Sequence, residues 1–230
     1  MNTPSASPAD GRVLVWDAPV RVFHWLLAAS FAGAWLTAES ETWRLVHVTL
    51  GYTLAGLVAF RVVWGLVGTR HARFSDFVRG PADIWRYLRS LATGHPEPHA
   101  GHNPAGALAI VGLLVLAAAT AATGWANDVD LGGEWVEELH EGLATAMLVL
   151  VVVHVAGVLI GSFAHRENLV RAMVTGRRAA PPAEAIRSAR RWVAVLLVAA
   201  VAGFWAFQWQ SAGSITGATG QAGVARDADD

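Results

Sequence analysis

The hydrophobic pattern divides the chain into five long apolar runs separated by polar connections. A helix needs about 17–25 apolar residues to cross the hydrocarbon core of a bilayer, and each run reaches that length. The runs cover residues 20–38, 45–68, 104–126, 139–161 and 192–208. The pattern therefore predicts an all-α integral membrane helical bundle.

The connections between the runs are polar and differ in length. The longest, 69–103, contains a stretch, 81–91, in which leucine and isoleucine are spaced between arginines as in a helix at the membrane surface. Asn103 and Pro104 then provide a cap and a first residue for the third helix. The N-terminal segment, 1–19, is rich in proline and serine, and we expect it to be cytoplasmic and partly disordered.

The composition supports a membrane protein and removes several other classes. Hydrophobic residues make up 54% of the chain, charged residues 15%, and the mean hydropathy is +0.39, which is too apolar for an ordinary soluble domain. The net charge is −1, and no basic patch interleaved with aromatic residues points to nucleic acid. Cysteine is absent, which excludes disulfides, iron–sulfur clusters and covalently attached haem. Any redox chemistry would therefore need a non-covalent cofactor.

The arginines are distributed unevenly among the connections, and this predicts an orientation. The chain has 17 arginines and no lysine, and 15 arginines lie before or at the start of the first run, from the later part of the second run through 69–103, or between the fourth and fifth runs. Only Arg44 and Arg226 lie on the other side. Because basic residues accumulate on the cytoplasmic side, we expect a multi-pass protein of the bacterial inner membrane with a cytoplasmic N-terminus and a periplasmic C-terminus.

Four histidines fall inside the predicted spans. His140 and His154 are 14 residues apart, so on a helix they lie about 21 Å apart along the axis and about 40° apart around it. The predicted orientation puts His24 and His154 toward the cytoplasm. It puts His47 and His140 toward the periplasm. Equal depths therefore give two pairs, His47 with His140 and His24 with His154.

Each pair of histidines could clamp one haem between helices. Neutral imidazole is a common axial ligand of haem iron, and the iron would satisfy polar groups that lipid leaves unpaired. A lone membrane histidine more often bonds a neighbouring helix, but two on one stripe favour a ligand role. Glycines near the histidines would leave room for a porphyrin, although glycine is also common at bare helix contacts. They are Gly51, Gly56, Gly142 and Gly157.

Two arginines could neutralise the carboxylates of a haem at the cytoplasmic pair. Arg61 follows His47 by 14 residues, which puts it at the depth of that pair. Arg21 is the second candidate, because it lies three residues before His24. The alternative for Arg61 is that its side chain extends to the cytoplasmic interface and contacts no cofactor.

Five short motifs lie at or beside these histidines. They are RVFHW (21–25), HVTLGY (47–52), ELHEG (138–142), HVAG (154–157) and HRENLVRAMVTG (165–176). Together with a third run that lacks histidine, they resemble the prokaryotic cytochrome b561 family over about residues 15–176. That family includes the di-haem cytochrome b subunits of nickel–iron hydrogenases and the gamma subunits of formate dehydrogenases. The resemblance implies that His24, His47, His140 and His154 are the axial ligands of two non-covalent b haems.

The resemblance also implies a fold and a function. The fold would be a four-helix di-haem domain, 20–176, in contact with membrane lipid. Its function would be electron transfer between a redox partner and quinone in a respiratory chain. The partner would be a hydrogenase-like or dehydrogenase-like subunit, or a cytochrome c. An electron-transfer subunit is favoured over a stand-alone enzyme; the alternatives are a quinone-coupled oxidoreductase acting on a small species such as superoxide, and a non-redox bundle.

The C-terminal part departs from the family's four-helix core. A basic linker, 177–191, leads to a fifth transmembrane helix, 192–208, which has no histidine and which we expect to anchor the chain or to bind a partner. The tail, 209–230, is rich in glycine, alanine, serine and threonine, and we expect it to be periplasmic and disordered.

The remaining histidines lie outside the apolar runs. The run HPEPHAGH (95–102) has a spacing that could hold a metal, but its proline and glycine indicate an irregular loop. His165 follows the fourth span near the cytoplasmic pair, and a polar group there could line a quinone site.

Overall fold

The computed structural model describes residues 11–226 apart from 96, 98 and 100, with side chains as far as residue 212. This part of the chain is almost entirely helical, with one antiparallel ribbon of two short strands, β1 (Arg12–Leu14) and β2 (Arg177–Ala179). The helices are α1 (Ala18–Thr37), α2 (Arg44–Val67), α3 (Phe74–Phe77), α4 (Pro81–Ala92), α5 (Pro104–Asp128), α6 (Glu134–Ala164), α7 (Leu169–Thr175) and α8 (Arg191–Arg226). The predicted all-α class is confirmed.

Among the described helices, four are long and apolar enough to cross a membrane, with mean hydropathies of 1.7 to 2.7 over an 18-residue stretch. They cover Glu41–Val67, Pro104–Asp128, Glu134–Ala164 and Arg191–Ala212. The protein is therefore a multi-pass membrane protein. Helix α1 has 20 residues but is more polar, because it contains Pro19, Arg21 and His24. Its crossing of the membrane, as a fifth span, stays a prediction.

The bundle exposes apolar side chains on its outer surface, as expected for a protein whose surroundings are lipid. In α6 only 6% of the apolar stretch is buried inside the chain. Val152, Val153 and Ile160 of this helix are all largely exposed. Helix α6 therefore contacts the rest of the bundle along a narrow stripe, and that stripe includes its two histidines.

Two helical hairpins form the bundle. Helix α1 packs on α2 and α5 packs on α6, while contacts between α2 and α5 join the two hairpins. The core between them contains Phe31 of α1, Leu57 of α2, Ala117 of α5 and Met147 of α6. Met147 is seven residues from each histidine of its helix, so this core lies midway between them.

The last helix, α8, lies against α1 and α2. Its Trp205 donates a hydrogen bond from Nε1 to Thr53 Oγ1 of α2, at 2.8 Å. The helix runs from Arg191 to Arg226, and its apolar part, Arg191–Ala212, includes the predicted stretch 192–208. The disordered tail expected over 209–230 stays a prediction.

The described part of the N-terminal segment begins with a strand. Residues 1–10 lie outside the described part, but β1 pairs with β2, with Arg12 opposite Ala179. The next residues, Val15 and Trp16, both donate backbone hydrogen bonds to the carbonyl of Gly176. This glycine has φ +79°, and a Cβ there would lie 2.6 Å from the carbonyl oxygen of Trp16, so the close approach requires glycine.

Buried Asp17 fixes the start of α1. Its carboxylate accepts a hydrogen bond from Val20 N at 2.9 Å, which caps the helix. It also accepts from Trp64 Nε1 at 3.0 Å and from Thr69 Oγ1 at 2.7 Å. The beginning of α1 and the end of α2 are therefore tied together by one side chain.

The predicted features of the long connection are largely confirmed. The short helix expected over 81–91 is α4, and α5 begins at Pro104 with Asn103 Oδ1 accepting from Gly106 N at 2.7 Å. The first residues of α5 are thus held by the cap that the sequence indicates.

Candidate functional site

The first predicted pair of histidines lies at one end of the bundle, which we call the His47 end. His47 of α2 and His140 of α6 have ring centroids 6.2 Å apart, with their ring planes inclined by 76°. The sequence separates these residues by 93 positions, and the packing of the two hairpins brings them together.

Backbone carbonyls of neighbouring helices fix the orientation of both rings in this pair. His47 Nδ1 lies 2.9 Å from the carbonyl oxygen of Ala34 in α1, and His140 Nδ1 lies 3.0 Å from that of Thr120 in α5. Because a carbonyl can only accept, each Nδ1 carries the proton and each Nε2 keeps its lone pair. This is the tautomer in which a histidine binds a metal through Nε2 while its other nitrogen donates to a supporting group.

A cavity of about 450 Å³ surrounds this pair. Its inner wall is apolar and aromatic, and its rim is acidic. The apolar side chains include Phe31, Trp35, Leu54 and Trp125, and the acidic ones are Glu39, Asp128, Glu137 and Glu141. The space is thus adjacent to both rings, apolar within and negatively charged at its opening.

The second predicted pair lies at the opposite end of the bundle, which we call the Arg61 end. His24 of α1 and His154 of α6 have ring centroids 6.5 Å apart, with planes inclined by 53°. The ring of Trp25 lies edge-on to His24, with centroids 5.0 Å apart. Buried His24 Nδ1 has no hydrogen-bond partner in the described part of the chain, so this ring lacks the carbonyl that supports each histidine of the first pair.

Both pairs have a spacing that fits bis-histidine coordination of a haem iron. Two imidazole nitrogens bound to one metal at about 2 Å each would put the ring centroids about 6–6.5 Å apart. The four glycines near the histidines, Gly51, Gly56, Gly142 and Gly157, also adjoin open space, since a Cβ at any of them would meet no atom within 4 Å. They are therefore not close helix contacts, and the residues present fit a porphyrin beside each pair.

Arg61 is buried and does not extend to the interface. Its side chain is only 2% exposed, and its guanidinium carbon lies 4.8 Å from the ring centroid of Phe74 and 5.7 Å from that of Phe77. Its Nη1 atom has no hydrogen-bond partner among the described residues. The burial argues against the alternative that Arg61 extends to the membrane surface.

Arg21, the other candidate, is engaged with the backbone. Its Nε donates to the carbonyl of Asp17 at 3.3 Å, and its Nη1 donates to the carbonyl of Val174 at 2.6 Å. Arg21 thus connects α1 with α7. Of the two arginines, Arg61 is the one that has a buried donor nitrogen without a partner.

The histidines of the connection before α5 do not form a metal cluster, and no group of three or more His, Asp or Glu suited to a metal occurs in the described ranges. His95 bonds the carbonyl of Thr93, and His99 packs edge-on against Tyr87. His102 instead lies between two aromatic rings.

His102 is the residue that sequence reasoning passed over. Its ring centroid is 4.4 Å from that of Trp16 and 4.5 Å from that of Phe77, and its buried Nδ1 has no partner in the described part of the chain. Burial, together with the positive charge of Arg61, lowers the pKa of His102 to about 3. The available signal was its position directly before Asn103 and Pro104, where the third span begins.

His165 lies at the Arg61 end, as the sequence predicts for a residue just past the fourth span. It shares a hydrogen bond with the hydroxyl of Tyr87, with 3.2 Å between that oxygen and Nε2. Burial lowers the pKa of His165, and the nearby Arg178 lowers it further, so its neutral form is favoured.

Comparison with known proteins gives a consistent set of relatives. The model of the family described as prokaryotic cytochrome b561 matches residues 15–176. A protein of Azotobacter chroococcum, named "Probable Ni/Fe-hydrogenase B-type cytochrome subunit", is 30% identical, and the match covers 72% of this chain and 88% of the relative. Proteins of the same name from Azotobacter vinelandii and Rhizobium leguminosarum are 30% and 23% identical with the same coverage. No solved structure matches the chain.

Proposed function

The chain belongs to the prokaryotic cytochrome b561 family, and on that premise we propose that it is a membrane electron-transfer subunit that holds two b haems. It passes single electrons through the bilayer between a redox partner and the quinone pool. The observation that carries the proposal is the close approach of two histidine pairs, with ring centroids 6.2 Å and 6.5 Å apart, at opposite ends of one bundle.

The four histidines are the axial ligands. His47 and His140 hold one haem, and their Nδ1–H groups donate to backbone carbonyls, which keeps the rings oriented and raises the basicity of Nε2. His24 and His154 hold the other haem. Bound haem supplies reversible one-electron chemistry at its iron. The chain supplies the ligands, the apolar walls that exclude water and the charges around each haem.

Arginine charges act at the His24 and His154 haem. Arg61 is buried with an unpartnered donor nitrogen, which suits it to bind a haem carboxylate. Arg21 lies one helical turn before His24 and adds a positive charge at the same end. Both side chains would favour the reduced, less positive state of the iron there.

The partner is of the hydrogenase type in this proposal, because the relatives are named as cytochrome subunits of nickel–iron hydrogenases. The other candidates are a dehydrogenase-like subunit and a cytochrome c.

The arginine distribution supports a cytoplasmic N-terminus, with α1 as a fifth span. The His47 end then faces the periplasm of a bacterial inner membrane.

Quinone exchanges electrons at the Arg61 end. The hydrogen-bonded pair Tyr87 and His165 lies just past the end of α6, the helix that carries His154. A neutral imidazole next to a phenol can donate a hydrogen bond to the carbonyl oxygen of a quinone. It can also accept a proton from the hydroxyl group of the reduced quinol. These two residues are therefore the first candidates for contact with quinone.

A stand-alone reaction with superoxide at the His47 end is disfavoured by charge. Glu39, Asp128, Glu137 and Glu141 line the cavity there, and this negative rim would repel an anion. An uncharged or cationic reactant, or a protein with a basic face, suits this opening better.

The test is a reduced-minus-oxidised spectrum of the full chain purified in detergent, with haem counted per polypeptide. We expect a b-type α band and two haems per chain. Absence of the band would contradict the proposal, and it would leave the non-redox bundle as the function. Co-purification of a large redox subunit distinguishes an electron-transfer subunit from a stand-alone enzyme, whereas quinone-dependent turnover by the isolated chain would favour the enzyme.

A further inference from the structure

Two buried nitrogens at the Arg61 end have no partner among the described residues, and they belong to different elements of the fold; the imidazole nitrogen is a donor in the tautomer that carries its proton there. One is Nη1 of Arg61 in α2, and the other is Nδ1 of His102 in the connection before α5. A buried polar group without a partner is costly, so such groups usually mark the position of a ligand or of an ordered water.

The two side chains meet at one aromatic ring. The guanidinium carbon of Arg61 lies 5.7 Å from the centroid of Phe77, and the imidazole centroid of His102 lies 4.5 Å from the same point. Phe74 covers Arg61 at 4.8 Å, and Trp16 covers His102 at 4.4 Å. The guanidinium and the imidazole thus both contact the ring of Phe77, and three aromatic rings limit the access of water to them.

No free carboxylate of the described chain compensates these donors. Asp17 acts electrostatically on Arg61, but its oxygens already accept hydrogen bonds from α1, from Trp64 and from Thr69. His71 and Arg178, which face His102, are themselves bonded, His71 to the carbonyl of Glu184 and Arg178 to Glu167. The two side chains are therefore surrounded by aromatic rings, and the carboxylates near them already accept other hydrogen bonds.

We infer that Arg61 and His102 together form the carboxylate-binding site for the propionates of the haem held by His24 and His154. The inference rests on the proposed function and adds a residue to it, because His102 becomes a positioning residue for that haem. Arg61 supplies a charged donor and His102 a neutral one. His102 and Arg61 lie at the same end of the bundle as His24 and His154, and His154 contributes weakly to the electrostatics of His102.

The loop before α5 gains a role from this assignment. His102 stands two residues before the first residue of α5, and the cap at Asn103 fixes that position. A propionate bound by both side chains would connect α2 to the start of α5 across the edge of the haem. This contact would close the Arg61 end around the cofactor.

The experiment compares His102→Leu, which removes the donor, with His102→Asn, whose amide nitrogen can replace Nδ1. His95→Leu is the matched control, because His95 lies in the same connection and its side chain bonds only the carbonyl of Thr93 among the described contacts. Each full-length variant is titrated by optical spectroelectrochemistry. The haem bands are assigned with variants that lack His47 or His154.

We expect His102→Leu to lower the ratio of reduced to oxidised His24/His154 haem about threefold at a fixed potential, because a less stabilised propionate favours the ferric state. His102→Asn should restore the ratio, and His95→Leu should leave it unchanged. The other haem should respond to none of them. An unchanged ratio in His102→Leu would overturn the inference. If His102→Leu loses this haem entirely, His102→Asn must retain it, and its loss from both variants would also overturn the inference.

Reconstitution with haem dimethyl ester tests the carboxylate directly. Since the ester has no carboxylate charge and its carbonyl is a weaker acceptor, the difference between wild type and His102→Leu should then become much smaller. A difference that is undiminished with the ester, or one that appears only when acetate is added, would show that His102 acts through another group or a free anion, and would overturn the assignment. Wild type that binds no b haem would instead contradict the proposed function, so the two failures are distinguishable.

Discussion

The two ends of the bundle hold similar histidine pairs in different surroundings. At the His47 end, both rings donate from Nδ1 to carbonyls of neighbouring helices, at 2.9 Å and 3.0 Å, and carboxylates line the opening. At the Arg61 end, His24 Nδ1 has no partner in the described part of the chain, and the buried guanidinium of Arg61 has an Nη1 atom without a partner there.

The difference suggests that backbone carbonyls orient the rings of His47 and His140, whereas the orientation of His24 depends on a bound cofactor. Hydrogen-bonded imidazoles and nearby carboxylates stabilise ferric iron, whereas a buried guanidinium stabilises ferrous iron. We therefore expect the His47/His140 haem to have the lower midpoint potential. Electrons would then move spontaneously from the His47 end to the Arg61 end.

The largest expected effect comes from removing one ligand at a time. His154→Ala should remove the haem at the Arg61 end and leave the other, while His47→Ala should do the reverse. Haem per chain and the position of the remaining α band measure the outcome. If either variant still binds both haems, the assignment of ligands is wrong.

A smaller effect is expected from crowding one ligand of the His47 end. A Cβ at Gly124 would lie 2.9 Å from Cε1 of His140, so Gly124→Ala should displace that ring and weaken haem binding at this end about 10–100-fold. Titration of the apoprotein with haem measures both affinities. Gly203→Ala is the control, because a Cβ there meets no atom within 4 Å. Equal weakening at both ends would argue against a local cause.

The charge difference between the ends can be reduced with Arg61→Gln. Removing this buried positive charge should lower the ratio of reduced to oxidised haem at the Arg61 end about tenfold, or ~59 mV, and so bring the two potentials together. Arg61→Lys keeps the charge and should change the ratio less. A redox titration in which the His47 end shifts instead would contradict this electrostatic assignment.

The smallest effect is expected from a change that touches neither pair. Trp205→Phe removes the hydrogen bond from α8 to Thr53 and should reduce stability by about 1 kcal/mol, with both haem spectra unchanged. Thermal unfolding in detergent measures the change, and Trp209→Phe at the exposed face of α8 is the control. A haem spectrum altered by Trp205→Phe would show that α8 contributes to cofactor binding.

The sequence predicts this site well where helix periodicity and depth determine it. The family match confirms the resemblance drawn from the motifs around His24, His47, His140 and His154. Residue spacing along a helix fixes both face and depth, so the two pairs followed from the positions of four residues. Whether the four histidines ligate haem stays a prediction.

The contacts of the Arg61 end could not be read from the sequence. His102 meets Trp16 across 86 positions, and the ribbon joins β1 to β2 across more than 160, in segments without periodic patterning. Long-range contacts between irregular segments depend on how the helices place their ends, which local sequence does not specify. The burial of Arg61 also depends on Phe74 and Phe77, which approach it only when α3 folds back on α2.

The backbone bonds of the N-terminal segment have a consequence for biosynthesis. Val15 and Trp16 bond Gly176, and Ala18 bonds the carbonyl of Ala189, so the start of the first helix is secured by residues that the ribosome adds some 170 positions later. The His47 pair needs only α1, α2, α5 and α6, which are all complete by residue 164. We therefore expect cofactor insertion to be sequential during translation, with the His47 end maturing first and the Arg61 end remaining open until the linker emerges.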